Sequence, residues 1–459
     1  MWNRNEQTIC AISTPDGVGG IAVIRVSGKE ALSTCKKISK ALGRKELVES
    51  HRVYFSDVID LEGAKIDEAV FTFFAEGKSF TGEEVVEISC HGSRLITTQI
   101  LNLLVRLGCR LAEKGEFTYR AFMSGNLDLV QAESVLALIE SQNEASAKVA
   151  LRQLSGQTSK EIEGLISNLT WCLAHIEASI DFAEQGVEVV DQSVLVSKLS
   201  AIAESLKKLV GSYQAGKLIK DGVRVALVGE PNVGKSSLLN LLLQDDKAIV
   251  TPIAGTTRDV VTDFINHQGI KYNISDTAGL RETTDQVEII GINRSKKEAE
   301  KADVLCFVLD CTNQTWERSL FLSEQMKHKK IIFLLNKSDK IERSNREKLL
   351  LNLGERNNVI FTSAIEEESR DRIFAQLREA IGNPDYLNEA IISNARQHES
   401  LLYSYEMIIA SIGDLQKNTG AEFVAMQLKE SLVALQKIIG MVYDDQIMDR
   451  VFKEFCLGK

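Results

Sequence analysis

One short segment constrains the fold of this chain more than any other. An apolar run, Val225–Val228, is followed by Gly-Glu-Pro-Asn-Val-Gly-Lys-Ser at positions 229–236 and then by a leucine-rich, helix-forming stretch. The segment matches Gly-x-x-x-x-Gly-Lys-Ser/Thr in the strand, loop and helix context that makes this pattern specific. Its glycines allow backbone N–H groups to turn towards phosphate oxygens, and the helix N-terminus contributes a positive dipole. The sequence therefore predicts a phosphate-binding loop.

The side chains of this loop suggest individual roles. Lys235 is expected to reach the β- and γ-phosphates of a nucleotide, and the Ser236 hydroxyl is expected to ligate Mg²⁺. The other loop residues expected at the nucleotide are Asn232, Val233, Gly234 and Ser237.

The region around the loop alternates between strand and helix patterns from residue 221 to residue 382. Nearly continuous apolar runs are typical of parallel strands that helices cover on both faces. This pattern predicts a doubly wound, mostly parallel sheet. The predicted strands are Val225–Val228, Val304–Leu309, Ile331–Leu335 and Val359–Phe361.

Helical patterns flank this α/β region on both sides. Apolar residues recur at helical spacing from Ile162 to Ile180, and the same spacing returns from Leu401 to Ile438. We expect residues 121–220 and 383–459 to be two parts of one all-helical domain, which the α/β domain interrupts. Residues 1–120 mix β-branched runs with helix-like sequence and are predicted to form an α+β domain.

Composition excludes several other classes of protein. A chain of 459 residues with 44% hydrophobic and 26% charged residues is predicted to form several folded domains. A formal net charge of −10 argues against a broad basic surface for nucleic acid. We find no signal peptide and no run of about 18 apolar residues, so we expect a cytoplasmic protein without a membrane segment. Eight cysteines without a Cys-x-x-Cys pair favour neither zinc nor a disulfide framework.

A second motif predicts which base is bound. Asn-Lys-Ser-Asp at positions 336–339 follows a predicted strand, where α/β sheets place ligand-binding loops. The Asp339 carboxylate can accept two hydrogen bonds from guanine, whereas adenine would leave it unpaired. The sequence therefore favours GTP over ATP. The residues expected around the base are Asn336, Lys337 and Asp339, with Ser363 and Ala364 in the loop that closes over it.

Two further segments are expected to sense the γ-phosphate. The acid of Asp-Thr-Ala-Gly, residues Asp276, Thr277, Ala278 and Gly279, would lie near the metal, and Thr257 is a candidate second Mg²⁺ ligand. Leu280 follows this motif, so the glutamine that often orients the attacking water is missing. Asn232 and the segment from Thr251 to Thr256 could instead supply oxygens for a monovalent cation, which would spread transition-state charge.

Four segments together resemble the MnmE (TrmE) family of bacterial and organellar tRNA-modification GTPases. They are the nucleotide-binding block, Thr14–Gly28, Gly115–Phe122 and the tail Phe455–Lys459, and they span the chain in order. The resemblance implies an N-terminal tetrahydrofolate-binding domain that forms a homodimer, a split helical domain and a potassium-activated GTPase domain. It also implies a heterotetramer with the FAD-dependent protein MnmG. This complex would add a carboxymethylaminomethyl-type group at C5 of the wobble uridine of certain tRNAs, using a one-carbon unit from 5,10-methylene- or 5-formyl-tetrahydrofolate.

The resemblance also implies roles for individual residues. Glu288 would orient the attacking water and act with Lys235 in catalysis, and Ser236 and Thr257 would hold Mg²⁺. Potassium would be held by Asn232, Thr251, Ile253 and Thr256. The tetrahydrofolate would contact Arg25, Glu87, Asn126 and Lys459. Ala254 and Gly255 would complete the nucleotide site.

The sequence allows an alternative function and more than one role for Cys456. A GTPase with Asn-Lys-x-Asp could alternatively be a regulatory switch that binds the ribosome or another RNA. The N-terminal domain and the Cys-Leu-Gly-Lys tail would distinguish this chain from that class. Cys456 could be a nucleophile, a thiol of the folate pocket or an inert cysteine, since no neighbouring histidine supplies a base.

Overall fold

The computed structural model describes most of the chain. It comprises three regions, each with its own hydrophobic core, and the helical region lies on both sides of the α/β region in the sequence. Within the described residues, no helix is both long enough and apolar enough to cross a membrane. The described residues are 7–181, 191–243, 264–276, 299–313, 316–354, 356, 358–381, 391–417, 419–443, 445–455 and 458.

The first region is a six-stranded sheet with the strand order β3-β4-β5-β2-β1-β6. The strand pairs are antiparallel except for β1 and β6, which are parallel. Residues alternate between the two faces: Ile24 is buried against the helices, whereas Ile21 is 70% exposed on the other face. The elements are β1 (Ile9–Ile12), β2 (Gly19–Ser27), α1 (Ala31–Ile38), β3 (Arg52–Ile59), β4 (Lys65–Phe74), β5 (Val85–Gly92), α2 (Arg94–Arg106), β6 (Arg110–Leu111) and α3 (Glu116–Met123).

The helices before and after the α/β region share one core. Leu169 and Leu206 precede the α/β region, Leu401 and Leu435 follow it, and all four lie in the same buried cluster. The predicted split helical domain is therefore confirmed. Its helices are α4 (Leu129–Ile139), α5 (Glu144–Leu154), α6 (Gln157–Asp181), α7 (Gln192–Asp221) and, after the α/β region, α12 (Ala395–Gln416) and α13 (Ala421–Ile439).

The last helix, α14 (Asp445–Lys453), packs against α3 of the first region. The Tyr119 and Phe452 rings meet edge to face with centroids 5.4 Å apart. Gly115 permits this approach, because a Cβ there would overlap the carbonyl oxygen of Phe452. The last helix is thus held against α3 of the N-terminal region.

The α/β region is a doubly wound sheet with the order β12-β11-β10-β7-β9-β8, as the sequence predicts. Only the pair β8–β9 is antiparallel among the described pairs. All seven residues of β10 are buried, because helices cover both faces of the sheet. The elements are β7 (Val223–Val228), α8 (Lys235–Leu243), β8 (Phe264–His267), β9 (Ile270–Asp276), β10 (Val304–Asp310), α9 (Glu317–Gln325), β11 (Lys330–Asn336), α10 (Arg343–Leu353), β12 (Val359–Phe361) and α11 (Glu368–Ile381).

Candidate functional site

The glycine-rich segment forms the turn between β7 and α8. Asn232 and Gly234 have φ values of 63° and 97°, so the backbone curls in a conformation that most side chains disfavour. A Cβ on Gly229 would overlap the carbonyl oxygen of Val308, and a Cβ on Gly234 would overlap the Asn336 amide. These two glycines let the loop close tightly over the end of the sheet.

Lys235 is buried at the first residue of α8 with only 5% exposure. Its Nζ donates to the carbonyl oxygens of Gly229 at 2.9 Å and Glu230 at 2.7 Å, both in the loop itself. Ser236 and Ser237 follow in the exposed first turn of the helix. The ammonium and the helix N-terminus concentrate positive charge at this turn, which suits a phosphate group.

The Asn-Lys-Ser-Asp motif lies at the carboxyl end of β11, beside the phosphate loop. Asn336 is 1% exposed and its Nδ2 donates to the Val233 carbonyl at 2.8 Å. Lys337, with φ 62°, donates from Nζ to the Asn232 carbonyl at 2.9 Å. The two predicted motifs are therefore joined by direct hydrogen bonds.

The carboxylate of Asp339 is oriented by the loop after β12. Ser363 Oγ donates to Asp339 Oδ1 at 2.7 Å, and the Ser363 amide donates to Ser369 Oγ at 2.9 Å. Ala364 follows Ser363 and is partly buried against the core. Both predicted base-binding segments therefore lie at the same edge of the sheet.

Three buried polar atoms at this edge have no hydrogen-bond partner within the part of the chain that the structure describes. They are Asn336 Oδ1, Ser338 Oγ and Thr362 Oγ1. A buried polar atom without a partner costs free energy, and such atoms are expected where a ligand completes the hydrogen bonding. The edge therefore fits a polar ligand such as a purine base.

Asp310 is a residue of this site that the sequence analysis did not single out. Its Oδ2 accepts a hydrogen bond from Lys337 Nζ at 2.6 Å, and its Oδ1 accepts from the Thr312 amide and hydroxyl at 2.8 and 2.7 Å. Burial opposes its ionisation, but the hydrogen bonds from Lys337 and Thr312 hold the pKa of Asp310 below its ordinary value. The signal in the sequence was its position as the last residue of a buried strand at the ligand-binding edge.

Other predicted nucleotide residues lie outside the described residues. They are Thr251, Ile253, Ala254, Gly255, Thr256, Thr257, Thr277, Ala278, Gly279 and Glu288. Asp276 is described as the last backbone position of β9, where it pairs with Leu227 directly before the phosphate loop.

The N-terminal sheet brings together three of the four predicted folate residues. Arg25 donates from Nε and Nη2 to Glu87 Oε1 at 2.9 and 2.7 Å, and its guanidinium lies 5.8 Å from the ring centre of Phe80. Asn126 donates to the carbonyl oxygens of Ser79 and Phe80 at 3.2 and 3.3 Å. Phe80, whose ring was not predicted to take part, lies between the two contacts and is 38% exposed.

The C-terminal tail reaches the same sheet. Ser13 Oγ donates to the Gly458 carbonyl at 3.1 Å. Gly458 has φ 88°, and a Cβ there would overlap the Ile12 carbonyl oxygen, so the contact requires glycine. The predicted residues Lys459 and Cys456 lie outside the described residues, on either side of this anchored position.

A buried ionic cluster joins α3 to the segment before β5. Arg120 and Glu116 are 4% and 3% exposed and form an ion pair of 3.0 Å, and Arg120 also pairs with Glu83 at 2.8 Å. Arg110 pairs with Glu116 as well. Burial would raise the pKa of Glu116, but hydrogen bonds from Arg110, the Glu113 amide and Arg120 hold it below the ordinary value.

A phosphate loop tied to an Asn-Lys-x-Asp loop at the carboxyl edge of a doubly wound sheet defines the class of protein as a P-loop GTPase. Two family models match the chain: "GTP-binding protein TrmE N-terminus" over residues 8–126 and "MnmE helical domain" over residues 129–456. The chain belongs to the MnmE family.

Full-length relatives agree with this assignment. A tRNA modification GTPase MnmE from Bdellovibrio bacteriovorus is 48% identical over 100% of this chain and 98% of its own length. One from Flavobacterium johnsoniae is 39% identical over 99% of this chain and 100% of its own length. Among solved structures, the G domain of the T. maritima FeoB iron transporter aligns with 35% of this chain and 99% of its own length at 26% identity, with a TM-score of 0.25.

Proposed function

We propose that the GTPase cycle of this chain drives the modification of tRNA at C5 of the wobble uridine. The observation that carries the nucleotide part is the pair of hydrogen bonds from Asn336 and Lys337 to the phosphate loop, at 2.8 and 2.9 Å. They hold the base-binding and phosphate-binding loops at a fixed separation. A nucleotide that binds across both loops can therefore be recognised by its base and its phosphates together.

We further propose that Mg²⁺ and K⁺ complete this site. Ser236 offers a hydroxyl oxygen in the exposed first turn of α8, and Asn232 offers an amide oxygen at the lip of the loop. Such hard oxygen donors suit both ions. Thr257 would be the second Mg²⁺ ligand, and Thr251, Ile253 and Thr256 would complete the K⁺ shell. Bound K⁺ would supply positive charge beside the transferring phosphoryl group, and Glu288 would orient the attacking water.

A one-carbon tetrahydrofolate is the proposed ligand of the N-terminal sheet. A pterin ring carries an N–H and an amino group side by side, and a carboxylate such as Glu87 can accept from both. Arg25 fixes the orientation of that carboxylate, and the exposed ring of Phe80 offers a surface for stacking. The Gly458 carbonyl accepts from Ser13 at the same sheet, which supports Lys459 as a proposed contact for the acidic part of a folate.

Membership of the MnmE family supports a proposal for the wider assembly. We propose that the chain acts in the cytoplasm as a homodimer and forms a heterotetramer with an FAD-dependent MnmG partner. The partner would supply redox chemistry, and the product would be a carboxymethylaminomethyl-type group on certain tRNAs. We place the domains at residues 1–120, 121–220 with 383–459, and 221–382.

Mass spectrometry of tRNA nucleosides tests this function directly. Cells that lack this protein are expected to lose the C5 group from wobble uridines, and the full-length chain is expected to restore it. The Arg25→Ala variant should not restore it, whereas the exposed-site variant Lys327→Ala should. Normal wobble nucleosides in the deletion strain would contradict the proposal.

A further inference from the structure

A loop of the helical domain contacts the nucleotide-binding sheet. Gln142 lies between α4 and α5 and faces the hairpin formed by β8 and β9. Asn266 Nδ2 of β8 donates to the Gln142 carbonyl at 3.0 Å, and Lys271 Nζ of β9 donates to Gln142 Oε1 at 2.6 Å. One exposed glutamine is therefore held by both strands of the hairpin.

The surroundings favour this arrangement of Lys271. Its ammonium lies 4.7 Å from the ring centre of Phe264, and burial lowers its pKa. Burial removes part of the hydration of the ammonium, which costs free energy. The hydrogen bond to Gln142 compensates for part of this desolvation cost, which a fully exposed lysine would not have. The contact is thus more than a chance meeting of surface side chains.

The neighbouring helix ends fix the loop from its other side. Asn143 caps α5 by accepting from the Ser146 amide at 2.7 Å, and it donates to the Ile219 carbonyl near the end of α7 at 3.1 Å. Asn273 of β9 donates to the Asp221 carbonyl at 3.1 Å. The α4–α5 loop is therefore hydrogen-bonded both to the hairpin and to the end of α7.

The hairpin leads directly to the nucleotide edge. Strand β9 runs from Ile270 to Asp276, whose backbone pairs with Leu227 just before the phosphate loop. Asp276 lies five residue steps along the extended chain from Lys271, which is roughly 16 Å. A shift of the strand at its nucleotide end would therefore reach the Gln142 contact through backbone that is hydrogen-bonded to β7 and β8.

Helix α4 precedes the Gln142 loop in the chain and begins beside the N-terminal region. Its 11 residues span roughly 16 Å, and Asp128 caps its start in a capping box with Gln131. Glu133 fastens its middle to Arg396 at 2.8 Å. Asn126, two residues before the cap, donates to the Ser79 and Phe80 carbonyls in the proposed folate region. A single short helix thus joins the Gln142 loop to the proposed folate region.

We propose that Gln142 is a coupling contact, which transmits the nucleotide state of the phosphate-binding edge through β9 and α4 to the N-terminal folate region. This inference rests on the proposed function, since it assumes GTP-dependent change at the end of β9. Gln142 is a positioning residue and touches neither candidate ligand. Its loss should uncouple the two sites without impairing either of them.

Hydrogen exchange of the full-length protein tests the coupling. We compare peptides of α4 and of residues 79–82 in the presence of GDP and of a non-hydrolysable GTP analogue. In the wild type, the exchange rates are expected to differ by at least about fivefold between the two nucleotides. Gln142→Ala removes the side-chain contact with Lys271 and leaves the backbone carbonyl that accepts from Asn266. In this variant the difference should fall below about twofold, while GTP turnover stays within about twofold of the wild type. Gln142→Glu should retain the difference, because a carboxylate also accepts from Lys271.

Matched variants sharpen the test. Glu144→Gln changes a side chain that is 83% exposed, two residues further on, and should behave as the wild type. Lys271→Met keeps the aliphatic contact with Phe264, and combining it with Gln142→Ala should add no further effect. A wild type that hydrolyses GTP without any nucleotide-dependent exchange in α4, or an undiminished difference in Gln142→Ala, overturns the inference alone. A wild type that binds neither nucleotide overturns the proposed function as well.

Discussion

The ammonium of Lys337 lies 2.6 Å from a carboxylate oxygen of Asp310, and this ion pair links the ends of two neighbouring parallel strands. Lys337 also holds the phosphate loop through the Asn232 carbonyl. The lysine of the Asn-Lys-Ser-Asp motif therefore connects the base-binding loop to the phosphate loop, and its ion pair with Asp310 positions its ammonium group.

Replacing Asp310 with asparagine should weaken nucleotide binding. The side chain keeps its shape but loses the charge that holds Lys337. The contact of Lys337 with the phosphate loop should therefore weaken. We expect the Kd for GTP to rise about tenfold, which corresponds to about 1.4 kcal/mol. Titration with a fluorescent GTP analogue measures this, and Asp371→Asn on the outside of α11 is the control. An unchanged Kd would show that Asp310 has no part in the site.

Asp339→Asn should change the preferred base. An asparagine offers one acceptor and one donor, so it cannot accept from both N–H groups of guanine, whereas xanthine presents a carbonyl in place of the amino group. We expect GTP affinity to fall at least about a hundredfold and xanthosine triphosphate to bind instead. Competition titrations of the four nucleoside triphosphates and of xanthosine triphosphate check this. Retained GTP preference would place the base elsewhere.

The parts of the fold that local patterns encode could be predicted from the sequence. The phosphate loop follows from glycine spacing, β10 and β11 follow from buried apolar runs, and the split helical domain follows from helical periodicity on both sides of the sheet. Contacts between distant segments could not be predicted. Asp310 with Lys337, Gln142 with the β8–β9 hairpin and Gly458 with Ile12 depend on how separate elements meet, for which the sequence has no periodic signal.

Gly458→Ala should release the C-terminal tail from the N-terminal sheet. The substitution places a Cβ into the Ile12 carbonyl oxygen and forces alanine to a φ of 88°. If Lys459 contacts folate, the affinity for 5-formyltetrahydrofolate should fall at least about tenfold, measured by calorimetry. Gly63→Ala is the matched control, because its φ is 86° and an added Cβ there meets nothing within 4 Å. Equal affinities for the two variants would remove the tail from the folate site.

Glu116 should make the N-terminal region sensitive to acid. The pKa of Glu116 is depressed in the folded chain, so the ionised carboxylate stabilises the folded state at pH values above its ordinary pKa of about 4.3. This stabilisation is lost as the pH falls through the pKa of the folded state. Glu116→Gln should lower the free energy of unfolding by about 3 kcal/mol at pH 7, because Arg120 stays buried with one partner fewer. The penalty should shrink below about pH 4.

Denaturant unfolding of the two proteins from pH 7 to pH 3 measures this penalty. Glu62→Gln, in an exposed turn, is the control and should match the wild type throughout. A penalty that is the same at every pH would show that the charge of Glu116 is not what stabilises the cluster.

Asn232→Gly should separate nucleotide binding from cation-dependent turnover. Glycine tolerates the φ of 63° at this position and leaves the carbonyl that accepts from Lys337 in place, so the loop keeps its shape while the amide oxygen is removed. For the wild type we expect GTP turnover to be at least about tenfold faster in KCl than in NaCl, because K⁺ would add positive charge where the transition state develops negative charge. The variant should bind GTP as the wild type does and turn it over slowly and equally in both salts. Steady-state phosphate release measures both rates, and a wild type that is equally fast in both salts would remove the cation from the mechanism.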